Sequence, residues 1–178
     1  MKELIIKKIP IYNGKIVKLN RNLVKLPNGN LAFREVVDHR PGICILPIIN
    51  DEILFVKQFR AGTNQISIEL PAGIVDENEE MIDAAMRELA EETGYSSTNI
   101  TYLGNYYASP GFTNELVHLY LAEDLFPKQL NPDEDEFIEL IHLPLAEVLS
   151  LIETNQITDM KTVLLISLYL NLKNIPNS

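Results

Sequence analysis

Apolar and polar residues alternate from the start of the chain, and the alternation sets out its first elements. Runs at 5–12, 16–20 and 31–37 read as strands, separated by Asn13-Gly14 and by Pro27-Asn28-Gly29. Asn-Gly between alternating runs is a hairpin signal. Three such strands bury too little apolar surface to stand alone, so they are expected to pack on the rest of the chain or on a second subunit. From Pro41-Gly42 a second body begins, with strands at 43–49 and 53–58 flanking Asn50-Asp51-Glu52, and a run at 66–70 leading into the glycine turn Pro71-Ala72-Gly73. A helix follows, with Asp76 or Asn78 as its N-cap and Glu79 and Glu80 in the first turn, where the helix dipole favours negative charge. Its Ile82, Ala85, Met86 and Leu89 follow the i, i+3, i+4, i+7 spacing of a buried stripe.

Beyond that helix the pattern predicts strands at 100–107, 116–122 and 137–143, with a Pro-Gly loop at 109–115 and an acidic stretch at 131–136. A helix over 144–153 has Pro144 at N1 and Leu145, Val148, Leu149 and Ile152 on one face. Thr158 or Asp159 can cap a last, strongly apolar helix that runs to 172. No internal repeat and no long linker interrupts the order.

Composition adds limits to this outline. The 178 residues, 46% hydrophobic, suit a domain with a real core, and the net charge of −10 argues against a nucleic-acid surface, which needs clustered Lys and Arg. A polyanionic substrate stays possible, because bound metal ions can supply positive charge. The single cysteine, Cys44, sits in an apolar run and reads as a buried structural thiol. The first ten residues interleave charge with apolar residues and carry no signal-peptide pattern, and the longest apolar run, 163–172, is about half the length of a membrane span. The expectation is a soluble, cytoplasmic protein with no membrane or nucleic-acid partner.

The chemistry concentrates in residues 73–95. Glu88, Glu91 and Glu92 stand three and four apart and project from one side of a helix. On their own they read as a solvated acidic face. Next to a glycine turn, the same carboxylates suit a hard divalent cation, which takes oxygen ligands.

The whole stretch, GIVDENEEMIDAAMRELAEETGY, has the form G-x5-E-x7-R-E-U-x-E-E-x-G-U, where U is a bulky apolar residue. It resembles the signature of the Nudix hydrolases. Gly73, Glu79, Arg87, Glu88, Leu89, Glu91, Glu92 and Gly94 match, and Tyr95 stands where an aliphatic residue is commoner. The resemblance implies an α/β/α sandwich around a mixed sheet, with residues 41–178 as the hydrolase domain and residues 1–40 as a small antiparallel sheet that serves dimerisation and base binding in a homodimer. It also implies Mg²⁺, or Mn²⁺, held chiefly by Glu88, Glu92 and the backbone carbonyl of Ala72, with Glu91 sharing a bridging metal or acting in catalysis by orienting its water, Glu79 stabilising the loop or binding an outer metal, and Gly73, Arg87 and Gly94 shaping the loop and helix.

A Ser-Pro-Gly loop after the box is similar to the marker of the ADP-ribose pyrophosphatase group, here Ser109-Pro110-Gly111 ending at Glu115. That group would place Arg34, Glu35, Arg60, Gly111 and Glu115 at the substrate, and would draw a water-activating or metal-binding carboxylate from the acidic stretch, either Glu134 or Glu136. The expected reaction is hydrolysis of ADP-ribose to AMP and ribose 5-phosphate. Another nucleoside diphosphate sugar such as GDP-mannose is the enzymatic alternative, and a non-catalytic ADP-ribose-binding module the alternative of a different class. The complete set of box acids favours an enzyme.

Overall fold

The structure is a computed structural model and describes residues 1–130 and 137–174. The chain divides into two units, one formed by Met1–Pro41 with Tyr106–Leu116, the other by Gly42–Asn105 with Val117–Ser178. The segment 106–116, which follows the box helix in sequence, therefore groups with the N-terminal strands.

In the first unit β1 (Leu4–Asn13), β2 (Lys18–Lys25) and β3 (Leu31–Asp38) form a three-stranded antiparallel sheet in chain order. The second strand runs over 18–25, later and longer than the run at 16–20 suggests, because the polar-rich segment Lys18–Lys25 pairs along its whole length with both neighbours. Backbone bonds fasten the 109–115 loop to β3: Val37 N–H donates to Phe112 O at 2.7 Å, and Asn114 N–H to Val37 O at 3.3 Å.

The second unit is built on a mixed sheet. β4 (Gly42–Ile49), β5 (Glu52–Arg60), β6 (Gln65–Glu69), β7 (Ala72–Ile74), β8 (Tyr95–Tyr107), β9 (Leu116–Pro127) and β10 (Glu139–Pro144) join it, with central order β10-β5-β4-β9-β8 while β6 pairs with β5 and β7 with β4. β4 lies parallel to β9 and antiparallel to β5 and β7. The glycine turn expected at 71–73 is thus partly a short strand, since Ala72 and Gly73 register with Cys44 and Ile43.

Successive residues of β4 face opposite layers, which is why it is buried throughout from Gly42 to Pro47. Ile43 and Ile45 pack with Ala84, Ala85 and Leu89 of α1 (Met81–Thr93). Cys44 and Leu46 pack on the other side with Val148 of α2 (Leu145–Glu153) and with Leu165, Ile166 and Tyr169 of α3 (Met160–Asn174). These layers make the α/β/α sandwich. Cys44 is fully buried and free.

Two helix starts differ from the sequence reading. α1 begins at Met81 with Glu80 as N-cap, and neither Asp76 nor Asn78 caps it. Asn78 instead takes a left-handed φ of 66° in a turn, and the Glu79 carboxylate accepts the Asp76 N–H at 3.0 Å, so these acids belong to a loop ahead of the helix. The buried stripe shifts as well: Ile82 is 47% exposed, whereas Glu88 and Glu92 are buried. Pro144 is the N-cap of α2 rather than its first helical residue. α3 begins after Asp159, whose Oδ2 accepts the Thr162 N–H at 3.0 Å.

Thr162 ties α3 to the sheet. Its hydroxyl accepts the Leu70 N–H at 2.9 Å, donates to Asp159 Oδ2 at 2.6 Å, and is fully buried. Thr162→Val keeps the shape but orphans a buried N–H, and is expected to cost roughly 1–3 kcal/mol in urea denaturation.

Candidate active site

The box helix presents its carboxylates to β7. Gly73 leaves the space this needs, since a Cβ there would lie 1.9 Å from Glu88 Oε1. The neighbouring Ala72 N–H donates to Glu92 Oε2 at 2.9 Å. Both carboxylates are therefore turned inward against the backbone of one short strand, in a partly buried setting unlike a solvated helix face. Gly94 closes the helix with φ of 75° and donates its N–H to Ala90 O at 3.1 Å, a left-handed cap that suits glycine.

Arg87 sits among these acids. Its Nε and Nη2 donate to the two oxygens of Glu79 at 2.8 and 2.9 Å, Nη1 to Glu88 Oε1 at 2.8 Å and to Glu91 Oε2 at 2.9 Å, and Nη2 also to Ile74 O at 3.2 Å. The Arg87 hydrogen bonds hold the Glu79 carboxyl below the usual carboxylate range, outweighing burial. Arg87 in turn is pushed above its ordinary value, chiefly by Glu79. With one guanidinium between Glu88 and Glu91 and a backbone N–H on Glu92, no group of three His, Cys, Asp or Glu side chains is gathered as a ready metal cluster among the described residues. The donor set nevertheless fits a hard cation: the groups are carboxylate oxygens, Glu88 and Glu92 are buried, and the missing Cβ of Gly73 gives the Glu88 carboxylate room to turn inward.

A second charged group lies at the other end of the same backbone segment. Glu69, with a side chain only 4% exposed, receives Arg60 through Nε and Nη2 at 2.8 Å each and Lys161 Nζ at 2.5 Å. Lys161 also donates to Asp159 Oδ1 at 2.9 Å. Burial pushes the Glu69 carboxyl up, but the bonds and charges of Arg60 and Lys161 outweigh it and hold it at about 2. Around this group is a hollow of about 390 Å³ whose walls include Thr63, Ser67, Gln156 and Thr158.

In the first unit, Arg34, Glu35 and Gly111 line one hollow of about 550 Å³ together with Phe33 and Arg21. The Arg21 guanidinium stacks over the Phe33 ring, 3.9 Å from its centroid. Neighbours on a strand point to opposite faces, and Arg34 accordingly takes its own partner, donating to Glu3 at 3.1 and 2.6 Å. Glu115 lies 3.9 Å from His39 Nδ1, and its N–H donates to Thr113 Oγ1 at 3.2 Å. Burial pushes His118, on β9, below its ordinary value, and its ring packs 6.0 Å from that of Tyr102.

A family model for the NUDIX domain matches residues 38–164. The chain belongs to the Nudix family. It is a diphosphate hydrolase of that family. Among curated proteins, it is 39% identical over 176 residues to the ADP-ribose pyrophosphatase of Bacillus subtilis, covering 97% of this chain and 95% of the relative. It is 40% identical over 171 residues to the methanol dehydrogenase activator of Bacillus methanolicus, covering 94% of this chain and 92% of the relative. Among solved structures, a crystal structure of an ADP compounds hydrolase shares the fold with a TM-score of 0.88 at 24% identity, over 97% of this chain and 94% of the other.

Within the Nudix box the structure thus brings Glu79, Arg87, Glu88, Glu91 and Glu92 together with Ala72 and Gly73. Arg60 is placed in the same unit, whereas Arg34, Glu35, Gly111 and Glu115 belong to the first. Glu134 and Glu136 lie outside the described residues. Sequence reasoning passed over Glu69 and gave Lys161, which resembles part of the family's final-helix start in Asp159-Met160-Lys161-Thr162, no role at the site. A usable signal was there: an acid three residues before Ala72, closing a strand whose alternate residues are apolar. No helix among the described residues is long and apolar enough to cross a membrane.

The depressed Glu69 carboxyl has a pH consequence. A carboxyl whose folded pKa is lowered stabilises the fold above its unfolded value and ceases to as pH falls through the folded one. The contribution should therefore fade between about pH 4.5 and about pH 2. Urea midpoints across that window should fall less steeply for Glu69→Gln than for the parent.

Proposed function

We propose that this Nudix enzyme is a divalent-cation-dependent ADP-ribose pyrophosphatase that hydrolyses ADP-ribose to AMP and ribose 5-phosphate. The reaction rests on one observation above all: the helix carboxylates are turned inward onto the Ala72–Ile74 strand, in the cradle that Gly73 leaves open. The substrate rests on likeness to an ADP-ribose pyrophosphatase along 97% of the chain. A homodimer working in the cytoplasm is the setting we assign it.

Glu88, Glu92, Glu91 and the Ala72 carbonyl would hold the cation, Mg²⁺ or Mn²⁺. Bound there, it would lower the pKa of water and neutralise charge on the diphosphate. Arg87 orients Glu88 and Glu91 through its Nη1. Water attacks one phosphorus, the P–O–P bridge breaks, and the leaving phosphate departs as the second product. Glu134 or Glu136 takes the proton of the attacking water. Arg60 meets phosphate oxygens, and Arg34 and Glu35 recognise the base. Gly111 and Glu115, on the Ser-Pro-Gly loop, contribute to substrate choice.

Glu88→Gln and Glu92→Gln, folding as the parent does by circular dichroism, should each lower kcat by roughly 100-fold or more at saturating Mg²⁺. Near-normal turnover of either would remove the cation assignment. A chelator should abolish turnover, and added Mg²⁺ or Mn²⁺ should restore it. Assayed separately, Glu134→Gln and Glu136→Gln should differ, with the residue that acts as base losing about 100-fold or more in kcat while KM holds. A panel of ADP-ribose, GDP-mannose, dinucleotides and nucleoside triphosphates, with products identified, tests the substrate. Rapid turnover of another member with none of ADP-ribose would overturn the substrate and leave the reaction.

A further inference from the structure

Glu69 is a carboxylate inside the fold with two cations on it, and neither cation takes part in the Arg87 cluster. Arg60 offers Glu69 one edge of its guanidinium, Nε and Nη2, so the plane of the group is set. Lys161 is held from two sides, by Glu69 and by Asp159, and Asp159 is itself fixed by capping α3. Arg60 keeps a side-chain exposure of 39% and Lys161 of 21%, against 4% for Glu69, so the anion is inside and the cations border the polar hollow. A buried ion group of this kind adds little net stability, since desolvation offsets most of the attraction. What it supplies is direction. Two cations held at a rim are ordered before an anion arrives, which removes the ordering entropy from binding.

The position along the chain matters too. Glu69 is three residues from Ala72, whose N–H meets Glu92, and the Glu92 charge is close enough to push Arg60 further up. Glu69, which holds the two cations, and Ala72, which meets the box, therefore share one short backbone segment.

We infer that Glu69 is a positioning residue for anion binding, presetting Arg60 and Lys161 as a cation pair for the phosphate oxygens of a nucleoside diphosphate sugar. This rests on the reading of Arg60 as a substrate contact. Removing Glu69 leaves both cations in the chain but frees them to move and to repel each other. The box, held by its own arginine, keeps its geometry, so binding suffers more than chemistry.

The test compares Glu69→Gln, Glu69→Asp, Arg60→Ala and the double variant Arg60→Ala with Glu69→Gln. Steady-state kinetics would use whichever nucleoside diphosphate sugar the parent turns over fastest, and calorimetry would follow inorganic pyrophosphate in metal-free buffer. Glu69→Gln should raise KM about tenfold with kcat within about threefold, and weaken pyrophosphate binding in parallel. Glu69→Asp should recover part of the loss. The double variant should bind worse than Arg60→Ala by a smaller factor than Glu69→Gln costs on its own, because part of what Glu69 does passes through Arg60 and the rest through Lys161.

Unchanged KM and pyrophosphate affinity in Glu69→Gln would overturn the inference. So would multiplying effects in the double variant, a fall in kcat at constant KM, or unaltered pyrophosphate binding in Arg60→Ala. Should Glu69→Gln not fold, Glu69→Asp and its double with Arg60→Ala decide by the same comparison. Failure of ADP-ribose as a substrate leaves this test standing, since neither readout depends on which sugar nucleotide is cleaved.

Discussion

The rest of the site depends on one guanidinium. Arg87 has five N–H donors and meets five acceptors: two oxygens of Glu79, one each of Glu88 and Glu91, and the Ile74 carbonyl. Without it, three carboxylates would face one another in a partly buried space inside a chain of net charge −10. A lysine could neutralise charge there but could not span the loop, the helix and β7 with a planar fork. The arginine acts as a folding constraint first: it draws the loop containing Glu79 onto the helix, and this is why α1 begins only at Met81.

Five consecutive backbone positions carry that constraint across the sandwich. Glu69 holds Arg60 and Lys161, and the Leu70 N–H reaches Thr162 in α3. The Pro71 carbonyl accepts the Ile45 N–H at 2.9 Å, Ala72 meets Glu92, and Gly73 yields its side-chain space to Glu88. A strand alternates its sides, so one short segment can grip the helix of one layer and the helix of the other. The acids of α1, Arg60 of β5 and Lys161 of α3 are thus anchored along the same few residues, the acids through Ala72 and Gly73 and the cations through Glu69.

Much of this order was legible in the sequence, for reasons that also explain what was not. Alternation located the N-terminal strands, and the box spacing located α1 and its acids. Periodicity identifies a face but not what covers it. Ile82 fits the apolar stripe of α1 and is nonetheless 47% exposed, while Glu88 and Glu92, which read alone as solvated, are buried. The difference lies in β7, a strand three residues long, too short to leave a pattern. Glu69 differs: as an acid closing an alternating strand it stands out, but its role was not legible, because its partners come from positions 60 and 161 and are brought together only by the sheet and α3. Asp76 and Asn78 are good capping residues by type, but the demand of Arg87 for Glu79 decided where the helix could start.

The burial of Cys44 gives the molecule a property unrelated to catalysis. The chain contains one cysteine, enclosed in the core between β7 and β9, and burial pushes its thiol well above the ordinary range. The native chain therefore presents no thiol to solvent. A cysteine introduced on the 109–115 loop or on the surface of α2 would be the sole labelling point for a fluorophore or spin label, with no need to mutate the natural one.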